Sequence, residues 1–527
     1  MLRAGARSAR VACGMARVLS SSSAVGRVAL DAAPATTRVR FAPSPTGALH
    51  LGGLRTALFN YLFARATGGE FVVRIEDTDA SRTVPGARAA LLDALAWAGL
   101  TPDDAPVAEP AADDARLVQS ARTAEYAQAA EALMDAGAAY RCFCTPAELD
   151  AEREAARRAG RLQIYSRRCM GLAPEEARAR AAGGEAHVVR LKVPQGSSVF
   201  HDAVFGTVRV ANAQIDDQVL VKSDGLPTYH LANVVDDAAM HMTHVIRGQE
   251  WLISTPKHVM MYEALGLRPP TFVHLPLLLD TAKRKLSKRD ASSSVDHYRQ
   301  QGFLPSALLN FVAFLGWSPN DAALAGVDAQ AMSLDDLVDV FSLDDINKGG
   351  AIVDYDKALA VNGTHLASLF KPNPPMAPEQ AAASRAGLVA ETAAALSAAG
   401  TPASVDYVDK VWAEFAPSLS LGNELVATAS YMFAPPPHTA CAAASAELHA
   451  LPQLDALITE LDALSEWDAD AINGVLTGYR NAHKLKPRQV LFPLRVGVTG
   501  ARGGPPLASL FALLGKAECM DRLRRVM

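Results

Sequence analysis

The segment Arg40-Phe-Ala-Pro-Ser-Pro-Thr-Gly-Ala-Leu-His-Leu-Gly-Gly53 sets a short apolar run and a Pro/Gly turn ahead of a histidine and two glycines. Those residue types in that order suit a nucleotide phosphate. The first turn of a helix has unpaired N–H groups and a positive dipole end. Glycine lets a ligand approach the backbone, and an imidazole can hydrogen-bond phosphate oxygens. A second cationic segment, Lys283-Arg-Lys-Leu-Ser-Lys-Arg289, reads by itself as an exposed basic loop. Paired with the first, it could stabilise a triphosphate as charge shifts toward leaving pyrophosphate, where electrostatic help counts most.

The surrounding pattern positions these groups. Val39 to Ala42 reads as a strand. Leu54, Ala57, Leu58, Tyr61 and Leu62 recur at helical spacing, and Phe71 to Ile75 reads as a second strand. Strand, helix and strand in succession predict a parallel sheet with a right-handed crossover. Ligands of such sheets sit at the carboxyl ends of the strands, which is where the Pro43 to Gly47 turn and the Glu76-Asp-Thr-Asp79 cluster would lie. Residues 86–140 read as helical. A charged, Ala-rich stretch (145–186) and strands at His187 to Val193 and Val199 to Val210 suggest an insertion, after which Val219 to Val221 and His244 to Ile246 resume the sheet. From about residue 300 the chain is mainly helical, broken at Pro372 to Pro378 and Pro435 to Pro437.

The chain has 527 residues, half of them hydrophobic and 20% charged, which fits a globular protein of several domains. The longest apolar candidate, Leu308 to Trp317, falls short of the roughly 20 residues that span a bilayer, so no membrane partner is expected. A net charge of −5 and a pI of about 6.2 argue against non-specific coating of nucleic acid, while leaving room for RNA held by local basic patches. The first 30 residues carry Arg3, Arg7, Arg10, Arg17, Arg27 and the run Ser20 to Ser23, with no acidic residue before Asp31. That is the composition of an organellar transit peptide, the plain alternative being a polar tail. Five arginines stand against five serines and no threonine in that stretch, and the mitochondrial matrix is expected ahead of a plastid or dual targeting. Six cysteines in so long a chain do not make a disulfide scaffold.

The chain resembles the glutamyl-tRNA synthetases, a class I aminoacyl-tRNA synthetase family, here of the organellar, mitochondrial type. His50-Leu-Gly-Gly53 matches the family's HIGH signature and Lys285-Leu-Ser-Lys-Arg289 its KMSKS signature. Further matches are Arg40 to Gly47, Arg74-Ile-Glu-Asp-Thr-Asp79, Leu226 to Asp237, Val245-Ile-Arg-Gly-Gln-Glu-Trp251, Gly302 to Asn310 and Leu491 to Gly500. The resemblance implies a Rossmann-type parallel-sheet catalytic domain with an inserted acceptor-end-binding domain and a mainly α-helical C-terminal anticodon-binding region. The corresponding segments are a transit peptide (1–36), the first catalytic half (37–140), the insertion (141–215), the second catalytic half with the KMSKS loop (216–300), a helical stem-contact domain (301–370) and the anticodon-binding domain (371–527).

It also implies the site. Glutamate would be held by Arg40, Ala42, Ser44, Glu76, Tyr229, Asn233 and Arg247. Two cations and one anion complement a substrate with two carboxylates and one ammonium. The plain alternative for Arg247 is a structural ion pair within the sheet. ATP, with Mg²⁺, would be held by His50, Gly52, Gly53, Glu250, Lys285, Leu286, Ser287, Lys288 and Arg289. His50, Lys285 and Lys288 would be catalytic, with Lys288 the main transition-state contact. The family first joins glutamate to AMP and releases pyrophosphate, then transfers glutamate to the 3′ end of tRNA(Glu), usually needing tRNA for the first step as well. Cys142-x-Cys144 with Tyr165 and Cys169 resembles a zinc knuckle of some family members, the alternative being ordinary cysteines left after metal loss.

Val411 to Tyr479 contains no Lys or Arg, although single-stranded RNA is commonly read by arginine, lysine and aromatic stacking. Family members that reject tRNA(Gln) commonly place an arginine there. Its absence points to an enzyme that also charges tRNA(Gln), with Arg480, Lys484, Lys486 and Arg488 as RNA contacts. A glutaminyl-tRNA synthetase would usually lack the Ser-Pro-Thr-Gly of the first block. A truncated tRNA-modifying relative would end near residue 300. A catalytically dead RNA-binding protein would have lost His50, Lys288 or Arg40. No interface signature is visible, so a monomer is expected.

Overall fold

The computed structural model describes residues 36–108, 112–286, 293–371, 378–442 and 445–527. The chain forms two compact units. One holds the residues up to His297, Val312–Ala325 and Asp336–Val353; the other holds Tyr298–Phe311, Gly326–Asp335 and Asp354–Met527.

In the first unit, β1 (Arg38–Phe41) leads through a turn into helix α1 (Leu51–Ala66), then returns as β2 (Glu70–Val73), parallel to β1 with Arg40 opposite Val72. This is the predicted crossover. Leu51, Leu54, Ala57, Leu58 and Leu62 are all fully buried along α1. β8 (His244–Gly248) lies on the other side of β1, where Thr243 N donates to Arg38 O at 2.9 Å, and β8 pairs in parallel with β9 (Thr271–Leu275). The chain therefore leaves β1 toward β2 and later resumes beside β1 at β8. That change of direction opens a crevice at the carboxyl ends of the two strands.

Three sequence expectations are corrected. Residues 86–140 are not continuously helical. Helices α2 (Ala87–Trp97) and α3 (Thr123–Asp135) are separated by extended and 3₁₀ segments, because Gly99 takes a left-handed conformation and prolines follow at 102 and 106. Val199 to Val210 is a hairpin. β5 (Ser197–Asp202) turns into the antiparallel β6 (Gly206–Ala211), with Asp202 Oδ1 accepting from Val204 N and Phe205 N to hold the turn. The end of β5 pairs with β9 at Asp202–Phe272. Val219 to Val221 does not resume the parallel sheet. As β7 (Val219–Val221) it runs antiparallel to β4 (Val188–Leu191), which pairs with β3 (Ala139–Cys142) in a separate three-stranded sheet. The charged segment between β3 and β4 forms α4 (Pro146–Arg158) and α5 (Pro174–Ala182).

Helices α6 (Tyr229–Ala239) and α7 (Thr255–Ala264) pack on this framework through Leu231, Val234, Met261 and Tyr262, which join Tyr126, Leu133, Leu191, Leu220, Val245 and Phe272 in one core. α6 carries two buried aspartates, Asp236 and Asp237, in its last turn. Carboxylates there oppose the helix dipole, so they require partners.

The second unit is helical. Its C-terminal core gathers Leu457, Leu461, Ile472, Leu476, Val490, Leu494, Phe511, Cys519 and Leu523 from helices of which the longest is Ala469–Ala482. The turn after that helix presents Lys484, Lys486 and Arg488, all exposed, with half-buried Arg480 just before them.

Candidate active site

His50 caps α1. Its backbone is extended, and its Nδ1 accepts from Gly53 N at 2.9 Å, so the neutral ring carries its proton on Nε2. The two glycines fit this arrangement for a reason that involves the protein itself. A Cβ on Gly52 would come within 3.1 Å of His50 Nδ1, and one on Gly53 within 2.8 Å of Leu49 Cδ1. Side chains there would displace the imidazole or the residue before it.

The basic segment begins against this turn. Leu279 and Lys285 form an antiparallel bridge around a tight turn in which Lys283 is left-handed, and Leu286 N donates to Leu278 O at 2.9 Å. Ser287, Lys288 and Arg289 lie outside the described residues. The chain resumes at the histidine: Ser294 bridges His50, and Val295 N donates to Leu49 O at 2.8 Å. The far end of the basic loop is thus anchored beside the N-terminus of α1, and its near end is bonded to Leu278 and Leu279. Arg55, one turn further along α1, is buried, and its hydrogen-bond partners among the described residues are carbonyls, Leu315 O at 3.0 Å and Pro276 O. Burial holds its pKa down to about 10. Glu250 is exposed in the 3₁₀ turn Gln249–Ser254, its carboxylate folded back against Gly248.

At the carboxyl end of β1 a buried charge network forms. Arg40 donates through Nε and Nη2 to the two oxygens of Asp237, at 3.0 and 3.2 Å. Arg74 Nη1 donates to Asp237 at 2.7 Å, and its Nη2 to Glu76 Oε1 at 3.0 Å. Burial by itself would raise the Asp237 carboxyl, but the charges of Arg40 and Arg74 outweigh it and hold the group below the usual carboxylate range. Asp236 is held by Arg122 Nε at 2.8 Å, Gln119 Nε2 at 2.9 Å and the Tyr126 hydroxyl. Glu76 differs: burial pushes its carboxyl up to about 7 despite Arg74 and Arg40. Ala42 is half-buried and Ser44 exposed on the turn that follows β1.

Arg247, at the carboxyl end of β8, has a different environment. It is 5% exposed, yet none of its partners among the described residues is a carboxylate. Nε donates to His274 Nε2 at 3.1 Å, Nη2 to Thr255 Oγ1 at 2.9 Å and His258 Nδ1 at 3.1 Å, and Nη1 to the Tyr229 hydroxyl at 3.1 Å. Tyr229 leans on Trp251 with ring centroids 3.9 Å apart. Burial raises its phenol, and it lies in the fields of Arg247, Glu76, Arg40 and Asp237. Asn233 Nδ2 bonds Tyr229 O, one turn back on α6. A guanidinium has five N–H groups; four are committed, and the hydroxyl that accepts from Nη1 still has its own proton. Both remaining groups are donors. Such an edge welcomes a carboxylate and meets the NH₂ of a carboxamide with a clash of donors. A structural ion pair for Arg247 is not what the structure shows.

The structure brings together Arg40, Glu76, Tyr229, Asn233 and Arg247 as anticipated. Asp237, Thr255, His258 and His274 were missed. Asp237 had a signal, a second consecutive acid on an otherwise apolar helix; the histidines had none.

A family model described as tRNA synthetases class I (E and Q), catalytic domain, matches residues 36–351. The chain belongs to this class I tRNA synthetase family. An anticodon binding domain model matches residues 386–527 of the same synthetase. Similar curated relatives include the glutamate–tRNA ligases of Chlorobium luteolum (37% identical, over 93% of this chain and 97% of the relative) and Heliobacterium modesticaldum (40% identical, over 93% and 96%). Among solved structures, the synthetase resembles a glutamate tRNA ligase from Elizabethkingia meningosepticum in complex with its amino acid, with a TM-score of 0.79 at 33% identity over 93% of this chain and 99% of that one.

Cys142, Cys144, Tyr165 and Cys169 also converge. Cys144 Sγ lies 3.6 Å from Cys169 Sγ and 3.2 Å from the Tyr165 hydroxyl, and Cys142 Sγ lies 3.4 Å from the same hydroxyl. All three sulfurs lie within 4.8 Å of one another.

Proposed function

We propose that the chain is a glutamate–tRNA ligase. It joins L-glutamate to ATP as glutamyl-adenylate with release of pyrophosphate, then transfers the glutamyl group to the 3′ end of tRNA(Glu). The observation that carries this reading is the buried Arg247, with no carboxylate partner among the described residues and with one N–H and the Tyr229 hydroxyl proton uncommitted, near the ionisable Glu76. Arg247 and Tyr229 take the substrate's side-chain carboxylate, and Glu76 takes its α-ammonium. The triphosphate, with Mg²⁺, would be held by the start of α1, with His50, and by the basic segment. Catalysis is then mostly positioning and charge stabilisation.

The same synthetase is proposed to charge tRNA(Gln) as well, supported by the absence of Lys and Arg from 411–479. One experiment tests both statements: glutamylation of tRNA(Glu) and tRNA(Gln) transcripts in parallel. Glutamate accepted by tRNA(Glu) at high yield is the expected result for the first, and glutamylation of tRNA(Gln) for the second. No charging of tRNA(Glu) overturns the function; no charging of tRNA(Gln) removes only the relaxed specificity. Action in the mitochondrial matrix is supported by the composition of residues 1–36 and is tested by fusing that segment to a fluorescent protein; a monomeric state is tested by light scattering of the purified chain.

Glu76 gives the reaction a pH signature. Its carboxyl sits near 7, so half is protonated at neutral pH, whereas an ammonium ligand requires the charged form. Below pH 7 the ligand must displace a proton, and the cost grows up to tenfold per unit. KM for glutamate should therefore fall several-fold between pH 6 and 7.5 and level off above. A flat profile over that range would remove Glu76 from ammonium binding.

The cysteine cluster fits zinc. Tetrahedral Zn–S bonds of about 2.3 Å place sulfurs about 3.8 Å apart, against the observed 3.6 Å between Cys144 and Cys169. Cys142, Cys144, Cys169 and the Tyr165 oxygen would hold the metal, which would clamp the end of β3 to the loop after α4. Metal analysis should find one zinc per chain and none in Cys144→Ser; wild-type protein free of zinc rejects the site.

A further inference from the structure

His274 and Asp202 lie behind Arg247 and touch no part of the crevice edge described above. His274 Nε2 accepts from Arg247 Nε, so its ring proton must sit on Nδ1, which is 2.6 Å from Asp202 Oδ2. The other oxygen of Asp202 is committed to Val204 N and Phe205 N at the β5–β6 turn. The backbone therefore fixes the carboxylate, the carboxylate fixes the tautomer, and the tautomer fixes one edge of the guanidinium. Both Asp202 and His274 are fully buried. Burial also keeps the imidazole neutral, its pKa below the ordinary histidine value, as an acceptor for an arginine requires.

We propose that Asp202 and His274 are positioning residues for glutamate recognition: they orient the Arg247 guanidinium so that its remaining N–H and the Tyr229 hydroxyl face the substrate carboxylate together. Their selectivity for carboxylate over carboxamide comes from that orientation, since a guanidinium free to rotate could also offer a single N–H to an amide oxygen. The chain Asp202–His274–Arg247 also supplies a negative charge two bonds away from a buried cation that has no carboxylate of its own. It draws on residues from β5, β9 and β8, so the β5–β6 hairpin, distant in sequence from the crevice, has a part in choosing the amino acid. This inference rests on the reading that Arg247 receives the glutamate side chain.

The polarity of the relay makes the test specific. In Asp202→Asn the backbone amides retain Oδ1, and the new NH₂ faces His274 Nδ1. The ring proton is then driven to Nε2, against Arg247 Nε–H. In His274→Leu both bonds are lost. In His274→Gln the side-chain amide can place its oxygen toward Arg247 and its NH₂ toward Asp202, reproducing the imidazole's polarity. Steady-state glutamylation of tRNA(Glu) should show KM for glutamate raised at least tenfold in D202N and H274L, with kcat and KM for ATP within about threefold of wild type. Selectivity over glutamine should fall in proportion. H274Q should recover KM to within about threefold. A wild-type glutamate KM in H274L, or equal losses in H274L and H274Q, overturns the proposal, and the histidine pair decides it even if D202N fails to fold. Arg247→Gln separates the two levels. If R247Q raises KM and H274L does not, positioning alone fails; if R247Q leaves KM unchanged, the assignment of Arg247 to the substrate fails with it.

Discussion

Arg247→Leu should raise KM for glutamate by a hundredfold or more and abolish most of the preference over glutamine. A hydrogen bond to a charged group contributes about 1.5–3 kcal/mol, and the substituted side chain removes one directly while releasing the Tyr229 hydroxyl that supplies the other. Losing both costs about 3–5 kcal/mol, a factor of 10² to 10⁴. The alternative, a cation serving only the packing of β8, predicts a loss of stability with an unchanged KM. Leucine also leaves Thr255, His258 and His274 without their donor, so the variant's melting temperature should be measured with its kinetics. A threefold or smaller change in KM would contradict the assignment.

Asp237→Ala should destabilise the first unit by about 3–5 kcal/mol, the usual result of removing one partner from a buried ion pair. Asp237 accepts three hydrogen bonds from two buried guanidiniums, Arg40 and Arg74, at 2.7–3.2 Å. Among the described residues the neighbouring carboxylates are already engaged: Glu76 pairs with Arg74, and Asp236 is bonded to Arg122, Gln119 and Tyr126 and lies 3.7 Å from Arg74 Nε. Because the folded-state pKa of Asp237 is depressed, its stabilisation is present above the unfolded carboxylate pKa and is lost as pH falls through the folded value. Wild type and D237A should thus differ most at neutral pH and converge on strong acidification. Urea unfolding at pH 7 measures the difference; a loss under 1 kcal/mol would mean that Arg40 and Arg74 find other partners.

The two arginines of the site are unlike. Arg40 is held in a bidentate pair with Asp237 and offers the substrate only what that pair leaves. Arg247 is oriented by neutral acceptors and keeps its charge for a ligand. Nothing local in the sequence distinguishes them, because their partners lie far away along the chain: Asp237 is 197 residues from Arg40, and His274 is 27 residues from Arg247 on the neighbouring strand. What local sequence could state, it stated well. The turn after β1 and the acidic block after β2 meet at one sheet edge, where Glu76 N donates to Pro43 O, because strand, helix and strand allow little else. The errors fall where composition hides geometry. Alanine-rich residues 86–140 looked helical throughout although proline interrupts them, and the apolar 199–210 run concealed a turn that Asp202 and the left-handed Gly206 mark. That same Asp202 bonds His274, which accepts from Arg247, a relation that exists only once β5, β9 and β8 are assembled.

The most direct test of the central claim is tRNA-dependent exchange of pyrophosphate into ATP, measured with glutamate, with glutamine and with no amino acid. Arg247 and Tyr229 presenting only donors, opposite an ionisable Glu76, predict exchange with glutamate in the presence of tRNA(Glu) at least a hundredfold above that with glutamine, and none without an amino acid. Exchange supported equally well or better by glutamine, or by neither amino acid, would contradict it.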